Sequence, residues 1–267
     1  MTQASWVPND VDLTRPSAAR TYDFFLGGAH NFASDRELGQ QAIDKVPDVK
    51  NIAVANRAFL RRAVRYCLDQ GITQFLDIGS GIPTSGNVHE IAQATNPEAR
   101  VVYVDNEPVA VAHSQSMLES NDRATVVRAD LEDIDAVLSP KALELLDLDK
   151  PVAVMMVALF HFVPESAQPK QILRSYFDRM APGSLLVLSH ATADQYPEKI
   201  EGLIDLYKDS TNPLVQRSRS EVADILSDFE LAEPGVVYVP EWHPDSPEDV
   251  GDDPAQSIIY GVAGKKS

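Results

Sequence analysis

The stretch "FLDIGSGIPTSGNVHEIA", residues 75–92, passes from an apolar run through an acid and two glycines into a helical pattern. Gly79 and Gly81 would let the chain turn sharply and leave bare backbone open to a ligand. The helix that follows would direct amide N–H groups and the positive end of its dipole towards that ligand. Two interpretations are open at this point: an ordinary tight turn, or a cradle for a nucleotide-like cofactor.

Strands and helices alternate on both sides of this stretch. Segments with helical spacing separate apolar runs of β character, which lie at 73–79, 99–105, 124–130, 151–160 and 184–190. Two later β-like segments, 234–242 and 257–264, predict an antiparallel pair. The alternation predicts an α/β fold: a doubly wound, mainly parallel, seven-stranded sheet with helices on both faces.

Acidic residues follow the first three predicted strands, at the edge where such a sheet binds ligands. Asp105 is placed to accept hydrogen bonds from both hydroxyls of a ribose, and Asp130 to accept one from an exocyclic amine such as that of adenine. Each of them alone could be a helix cap or an exposed acid. Together with Asp77 they recur at near-equal spacing, which favours one shared ligand site.

The glycine pattern argues against a dinucleotide cofactor. A dinucleotide fingerprint requires a third glycine three residues after the second, which lets helix and strand pack closely. Here the third glycine is Gly86, and Pro83 occupies the turn where a diphosphate would lie. An NAD-dependent oxidoreductase is therefore a weaker alternative.

Four motifs resemble those of class I S-adenosylmethionine-dependent methyltransferases. These are "FLDIGSG", "VVYVDNEPVAVAHSQSML", "VVRADLED" and, in the position of the fourth motif, "MVALFHFVPE". Two further segments, "RPSAARTYDFFLGGAHNFASDRE" and "GIPTSGNVHE", resemble more narrowly an actinobacterial group labelled S-adenosyl methyltransferase, formerly a domain of unknown function. The resemblance implies a Rossmann-like methyltransferase domain over residues 51–267. The aromatics and glycines of residues 1–50 predict an N-terminal helical cap or lid.

The resemblance also implies roles for individual residues in binding S-adenosylmethionine. The methionine part would lie on the first loop, the ribose on Asp105, adenine beside the second and third loops, and the sulfonium over the fourth motif. Either of two arginines could pair with the methionine carboxylate. The implied cofactor residues are Asp77, Gly79, Ser80, Gly81, Pro83, Asp105, Asn106, Asp130, Leu131, Ala158, Arg20 and Arg57.

No catalytic constellation stands out, and methyl transfer from a sulfonium need not show one. The enzyme chiefly has to align the acceptor and exclude water, and a general base is needed only where the acceptor must lose a proton. The candidate catalytic residues are His161, His190 and Tyr22, of which the two histidines are expected to follow strands and face the site. The six histidines lack metal-binding spacing, so no metal site is predicted.

Composition narrows the class of partner. The formal net charge of −17 does not suit a nucleic-acid surface, and the apolar run 152–163 is too short to span a membrane. The start of the chain does not resemble a signal peptide, and a single cysteine, Cys67, suits a reducing compartment. We therefore expect a cytoplasmic protein without a nucleic-acid or membrane partner; the sequence does not indicate an oligomeric state.

The leading hypothesis is methyl transfer from S-adenosylmethionine to a small, partly apolar acceptor. A second hypothesis is a non-catalytic sensor or partner protein that binds the same cofactor. The NAD-dependent oxidoreductase and a purely structural α/β domain remain as further alternatives.

Overall fold

The structure, a computed structural model, describes residues 8, 11–139, 141–208, 210 and 212–266. Its strands are β1 (Gln74–Ile78), β2 (Arg100–Asp105), β3 (Ala124–Arg128), β4 (Ala153–Met156), β5 (Leu185–Ala191), β6 (Glu230–Leu231), β7 (Val237–Tyr238) and β8 (Ile259–Lys265). Its helices are α1 (Ala18–Phe25), α2 (Ala33–Lys45), α3 (Val49–Asp69), α4 (Val88–Thr95), α5 (Pro108–Leu118), α6 (Ile134–Val137), α7 (Pro169–Phe177), α8 (Pro197–Tyr207) and α9 (Arg219–Ile225).

One sheet joins the described strands in the order β3-β2-β1-β4-β5-β8-β6, with β7 also paired to β8. Strands β1 to β5 run parallel, and β8 runs antiparallel to β5, β6 and β7. The predicted doubly wound, mainly parallel sheet is confirmed. Two short strands, β6 and β7, share its seventh position beside β8. The predicted pairing of 234–242 with 257–264 is also confirmed, because Val237 pairs with Gly261.

Side chains of successive strand residues enter different cores, as the two-residue period of a strand requires. Phe75 and Met155 belong to the apolar cluster on one face of the sheet, whereas Leu76 and Val154 belong to the cluster on the other. Every residue of β1 and β4 is buried, which is the pattern of parallel strands covered by helices on both faces.

Local sequence signals fix several helix ends. Helix α9 begins with the capping box that Ser218 and Glu221 predict, since the Ser218 side chain accepts from the Glu221 amide and Glu221 accepts from the Ser218 amide. At the start of α4 the Glu90 side chain likewise accepts from the amide of Asn87, at 2.7 Å. Helix α8 is absent from the predicted elements; only three of its eleven residues, Ile200, Leu203 and Tyr207, are buried.

The order of the strands reverses between β1 and β4, whose residues Asp77 and Met155 are register partners. Ligands of open α/β sheets bind beyond the carboxyl ends of the strands at such a switch point. The fold therefore predicts a ligand site at the loops after these strands. No helix of the described residues is long and apolar enough to cross a membrane.

Candidate functional site

A pocket of about 560 Å³ opens at the carboxyl ends of the parallel strands. Its lining includes the loops that follow β1, β2, β3 and β4, the end of β5, and residues of helices α1, α3 and α8. This volume lies in the usual range for sites that bind small molecules or cofactors.

The pocket brings together most of the residues that the sequence singles out. Among the predicted cofactor residues, those that line it are Asp77, Gly79, Ser80, Gly81, Asp105, Asn106, Asp130, Leu131, Ala158 and Arg57. Two predicted catalytic residues, Tyr22 and His161, line it as well. Arg20, Pro83 and His190 do not belong to the lining.

The two glycines of the first loop have different surroundings, although both have positive φ angles, +71° at Gly79 and +68° at Gly81. A Cβ atom on Gly79 would come within 2.6 Å of Leu159 Cδ1. A Cβ atom on Gly81 would meet no protein atom within 4 Å. The backbone at Gly81 is therefore bare on its open side, as a cradle for a ligand requires.

Asp105 connects the end of β2 to this loop. Its Oδ2 accepts from the amide of Gly81 at 2.7 Å, and its Oδ1 accepts from the amide of Glu107 at 2.8 Å. Burial raises the pKa of Asp105 to about 6, against the lowering effect of these two amides. The carboxylate is thus held in a fixed orientation at the pocket wall.

Asp77 is the second buried carboxylate of the pocket, with 7% of its surface exposed. Burial raises the pKa of Asp77 to about 7; the nearby Arg57 lowers it and Asp105 raises it further. Arg57 lines the pocket and donates to the carbonyl of Gly86 at 2.8 Å. A cationic group bound beside Asp77 would favour the ionised carboxylate.

The residues predicted on the adenine side form a connected set. Asn106 donates from Nδ2 to Asp130 Oδ2 at 2.8 Å, and the Glu132 amide donates to Asp130 Oδ1 at 2.9 Å. Tyr176 donates from its hydroxyl to the carbonyl of Leu131 at 2.7 Å. These bonds fix the second and third loops relative to each other.

Ala158 has the φ angle of +58° that residues with a Cβ rarely adopt. Its amide donates to Ser189 Oγ of β5 at 2.8 Å, which helps to hold this conformation. Non-glycine residues in the left-handed region persist only where the surroundings over-determine them, and they cluster at functional sites.

His161 follows β4 and is buried, with 7% of its surface exposed. Burial lowers the pKa of His161 to about 3, and the neighbouring His190 and Arg217 contribute to the shift. The imidazole is therefore neutral near pH 7. Its Nδ1 atom is buried without a hydrogen-bond partner.

His190 does not face the pocket, contrary to the expectation from the sequence. It lies within β5 rather than after it, is fully buried, and donates from Nδ1 to the carbonyl of Ala191. Its Nε2 accepts from Arg217 at 2.8 Å, and Arg217 also donates to the carbonyl of Val163. His190 therefore supports the loop after β4 and does not line the pocket.

Arg20 is also directed away from the pocket, into the packing between the first helices and α5. Its guanidinium donates to Asp35 at 2.9 Å, to Glu107 at 3.2 Å and to the carbonyl of Arg15 at 2.6 Å. These bonds use the donors of Arg20. Of the two predicted arginines, Arg57 is therefore the one available to a carboxylate in the pocket.

The pocket residues missing from the predicted set include two with polar side chains, Glu107 and Asn56. Glu107 precedes Pro108, so it is the N-cap of α5, and its side chain accepts from the Val109 amide. Asn56 is a polar residue on the buried face of α3, four positions after Ile52 and four before Leu60. A polar side chain on an apolar helix face was the signal that could have identified it.

Unpartnered polar atoms show that the pocket suits a polar ligand. Among the described residues, the buried side-chain atoms without a hydrogen-bond partner include Ser80 Oγ, Asn56 Oδ1 and His161 Nδ1, and all three residues line the pocket. Buried polar atoms without partners are uncommon in folded proteins. Together with the bare backbone at Gly81 and the buried acid Asp105, they fit a nucleoside bearing an amino-acid chain.

The sheet order, the glycine loop and the acids after β1, β2 and β3 define a Rossmann-like methyltransferase. The model of the S-adenosyl methyltransferase family matches residues 4–267, and the chain belongs to this family. The predicted family, the enzyme class and the cofactor S-adenosylmethionine are confirmed.

Two solved structures are closely similar to this chain. One is a candidate methyltransferase from Thermobifida fusca, with 35% sequence identity and a TM-score of 0.91, covering 99% of this chain and 100% of that one. The other is a DUF574 family protein from Streptomyces avermitilis, with 36% identity and a TM-score of 0.91, covering 96% of this chain and 99% of that one. The second agrees with the predicted actinobacterial family.

More distant structures share the fold. Magnesium protoporphyrin IX methyltransferase from Synechocystis, solved with S-adenosylhomocysteine bound, has 16% identity and a TM-score of 0.54, covering 92% of this chain and 93% of that one. A search of curated protein sequences gives no significant match.

Proposed function

We propose that the protein transfers the methyl group of S-adenosylmethionine to a small-molecule acceptor bound in the same pocket. The observation that carries this proposal is the extent of the pocket. It continues from the cofactor loops after β1, β2 and β3 to a second region beside β4, β5, β8 and α8, which those loops do not line. A cofactor and a small acceptor could therefore lie side by side.

The chain's own residues have distinct tasks in this proposal. Asp105 would accept the ribose hydroxyls, Asp77 would face the ammonium of the methionine part, and Arg57 would face its carboxylate. Asn106, Asp130 and Leu131 would enclose adenine. When bound, S-adenosylmethionine supplies a methyl group on a sulfonium, which an acceptor lone pair takes while the sulfur keeps the electrons of the broken C–S bond.

The loop after β4 would align the acceptor with that methyl group. Ala158 and Leu159 line the pocket where the two regions meet, and Leu159 also packs against Gly79. Because the imidazole of His161 is neutral and a weak base, it would orient the acceptor. A proton released by an acceptor O–H or N–H group would pass to solvent. Alignment and exclusion of water supply most of the catalysis in such a site.

The first fifty residues would serve as a cap on a domain of residues 51–267. Helix α1 contributes Ala18, Tyr22 and Phe25 to the pocket lining, so it covers part of the site. An acidic chain with one buried cysteine suits a cytoplasmic enzyme for small molecules, without a nucleic-acid partner.

Calorimetric titration tests the proposal through its cofactor. S-adenosylhomocysteine is expected to bind one site per chain, whereas NADH gives no heat of binding. Binding of NADH together with no binding of S-adenosylhomocysteine would instead support the oxidoreductase alternative and reject the methyltransferase.

A further inference from the structure

This inference rests on the proposed function and concerns the chemistry of the acceptor. We call "acceptor half" the part of the pocket lined by α1, the segment 49–56 of α3, α8, residues 161–162 after β4, residues 212–214, the end of β5 and the start of β8. The end of β5 and the start of β8 are adjacent here, since Ala191 and Ile259 are register partners. Its side chains are mainly apolar and include Phe25, Leu26, Ile52, Leu203, Leu214 and Ile259.

The charged side chains of the described pocket lining lie in the other half. Among the described residues, the charged ones that line the pocket are Asp77, Asp105, Glu107, Asp130, Glu132 and Arg57. The five acids lie at or after β1, β2 and β3, and Arg57 is one residue beyond the α3 segment of the acceptor half. An ion in an apolar region loses its hydration without gaining a counter-charge, which is costly. The acceptor half therefore selects against ionised groups.

Asn56 is a fully buried polar residue of the acceptor half, and its orientation follows from its partners. Tyr22 has one hydroxyl hydrogen, which it donates to the carbonyl of Ala53 at 3.1 Å. Towards Asn56 the Tyr22 hydroxyl can only accept, so the amide presents Nδ2 to it, at 3.2 Å. Asn56 Oδ1 is thereby left as a buried hydrogen-bond acceptor without a partner.

Such an acceptor atom is a selective element. This oxygen has no partner in the protein, so a ligand O–H or N–H group that reaches it gains a hydrogen bond, and ligands without such a group at that point bind more weakly. His161, which lines the same half, offers a second unpartnered polar atom, Nδ1.

We propose that the methyl acceptor is an uncharged, predominantly apolar molecule whose O–H or N–H group donates a hydrogen bond to Asn56 Oδ1, with His161 as a second polar contact. Asn56 then determines which acceptors are bound, and the Tyr22 hydroxyl determines the orientation of Asn56.

Three probes that differ in one group test this proposal: 2-naphthol, 2-methoxynaphthalene, which has no donor, and 2-naphthoate, which is an anion. Each is titrated calorimetrically into the full chain saturated with S-adenosylhomocysteine. We expect 2-naphthol to bind at least about tenfold more tightly than either analogue, the discrimination typical of an unsatisfied buried acceptor.

Two variants test whether the selectivity depends on Asn56. Asn56→Ala is expected to weaken the binding of 2-naphthol about tenfold while changing the affinities of 2-methoxynaphthalene and S-adenosylhomocysteine by less than about twofold. Asn51→Ala is the matched control, because Asn51 lies on the same helix with an exposed side chain; it should change none of the three affinities.

The proposal is overturned if 2-naphthoate binds as tightly as 2-naphthol, if 2-methoxynaphthalene does, or if folded Asn56→Ala binds 2-naphthol like the wild type. If Asn56→Ala does not fold, the comparison of the three probes on the wild type still tests the proposal. Failure of S-adenosylhomocysteine to bind would reject the proposed function itself, a different outcome from failure of this selectivity.

Discussion

At the scale of the residue, the pocket places two buried carboxylates, Asp77 and Asp105, within electrostatic reach of each other. Both have raised pKa values, about 7 and about 6, because burial disfavours the ionised form. In the protein without ligand, Asp77 is thus partly protonated near neutral pH. In the proposed complex, the ammonium of the ligand would lie beside Asp77 and would favour its ionised form.

The affinity for S-adenosylhomocysteine should therefore depend on pH. With a pKa of about 7, roughly a tenth of Asp77 is ionised at pH 6 and about three quarters at pH 7.5, which is roughly an eightfold change in the binding-competent fraction. Ionisation of Asp105 over the same interval raises the binding-competent fraction by about a further twofold. We expect calorimetric affinity to rise more than about tenfold over this interval in the wild type.

Asp77→Asn is the informative variant, because it keeps the size of the side chain and cannot titrate. Its affinity should be lower at pH 7.5 and should change only about twofold between pH 6 and pH 7.5, the part left to Asp105. An equally steep pH dependence in the variant would assign the titration to another group.

At the scale of the element, the loop between β1 and α4 contains three glycines with positive φ angles, at 79, 81 and 86. An alanine in this conformation costs about 1–2 kcal/mol at any of them. The surroundings distinguish them: Gly79 packs against Leu159, whereas Gly81 and Gly86 have open space. Gly81 lines the pocket and Gly86 does not.

Alanine substitutions of these glycines should accordingly separate stability from binding. We expect Gly79→Ala to lower the free energy of unfolding most, because Leu159 must move. Gly81→Ala and Gly86→Ala should each cost about 1–2 kcal/mol in urea unfolding. Of these two variants, only Gly81→Ala should weaken the binding of S-adenosylhomocysteine, by roughly tenfold or more, which corresponds to about 1.4 kcal/mol. If Gly81→Ala and Gly86→Ala bound S-adenosylhomocysteine equally well, the ligand would lie away from Gly81.

The elements differ in how far the sequence predicts them. Strands β1 to β5 are predictable because each is a run of apolar residues between helical segments, and Asp105 is identifiable because it ends such a run. The two residues of β6 are too few to form a pattern, since their conformation depends on pairing with β8. Propensity and periodicity carry no information about such a distant partner.

Side-chain partners were the other unpredictable feature. Arg20 and Arg57 are equally plausible from sequence as partners of a carboxylate. Only the fold shows that Asp35 and Glu107 occupy the guanidinium of Arg20. His190 likewise is excluded from the pocket by its bond to Arg217, which follows α8. Asn56 could not be identified from sequence, because the sequence does not show that the buried face of α3 reaches the pocket.

At the scale of the whole molecule, the first two helices are joined to the cofactor loops through Arg20. Its side chain is 3% exposed, and the guanidinium bridges Asp35 of α2 to Glu107, the N-cap of α5. Removing one member of a buried ion pair leaves an uncompensated charge and typically costs about 3–5 kcal/mol. The attachment of the proposed cap should therefore depend strongly on this residue.

Arg20→Met should lower the free energy of unfolding by about 3–5 kcal/mol, measured with urea. Arg61→Met provides the control, since Arg61 and Asp245 are both about half exposed and 3.7 Å apart; such a surface pair contributes less than about 1 kcal/mol. Equal effects of the two substitutions would mean that the Arg20 pairs do not hold the first helices in place.

The central claim is that the pocket after β1, β2 and β3 binds S-adenosylmethionine with Asp105 on the ribose. The most direct measurement is calorimetric titration of S-adenosylhomocysteine into the wild type, Asp105→Asn and the exposed control Asp149→Asn, each shown to be folded by thermal unfolding. Because Asp105→Asn loses a charged hydrogen-bond acceptor, its affinity for S-adenosylhomocysteine should be about 10- to 100-fold lower than that of the wild type. The affinity of Asp149→Asn should be unchanged. Wild-type affinity in folded Asp105→Asn would contradict the account.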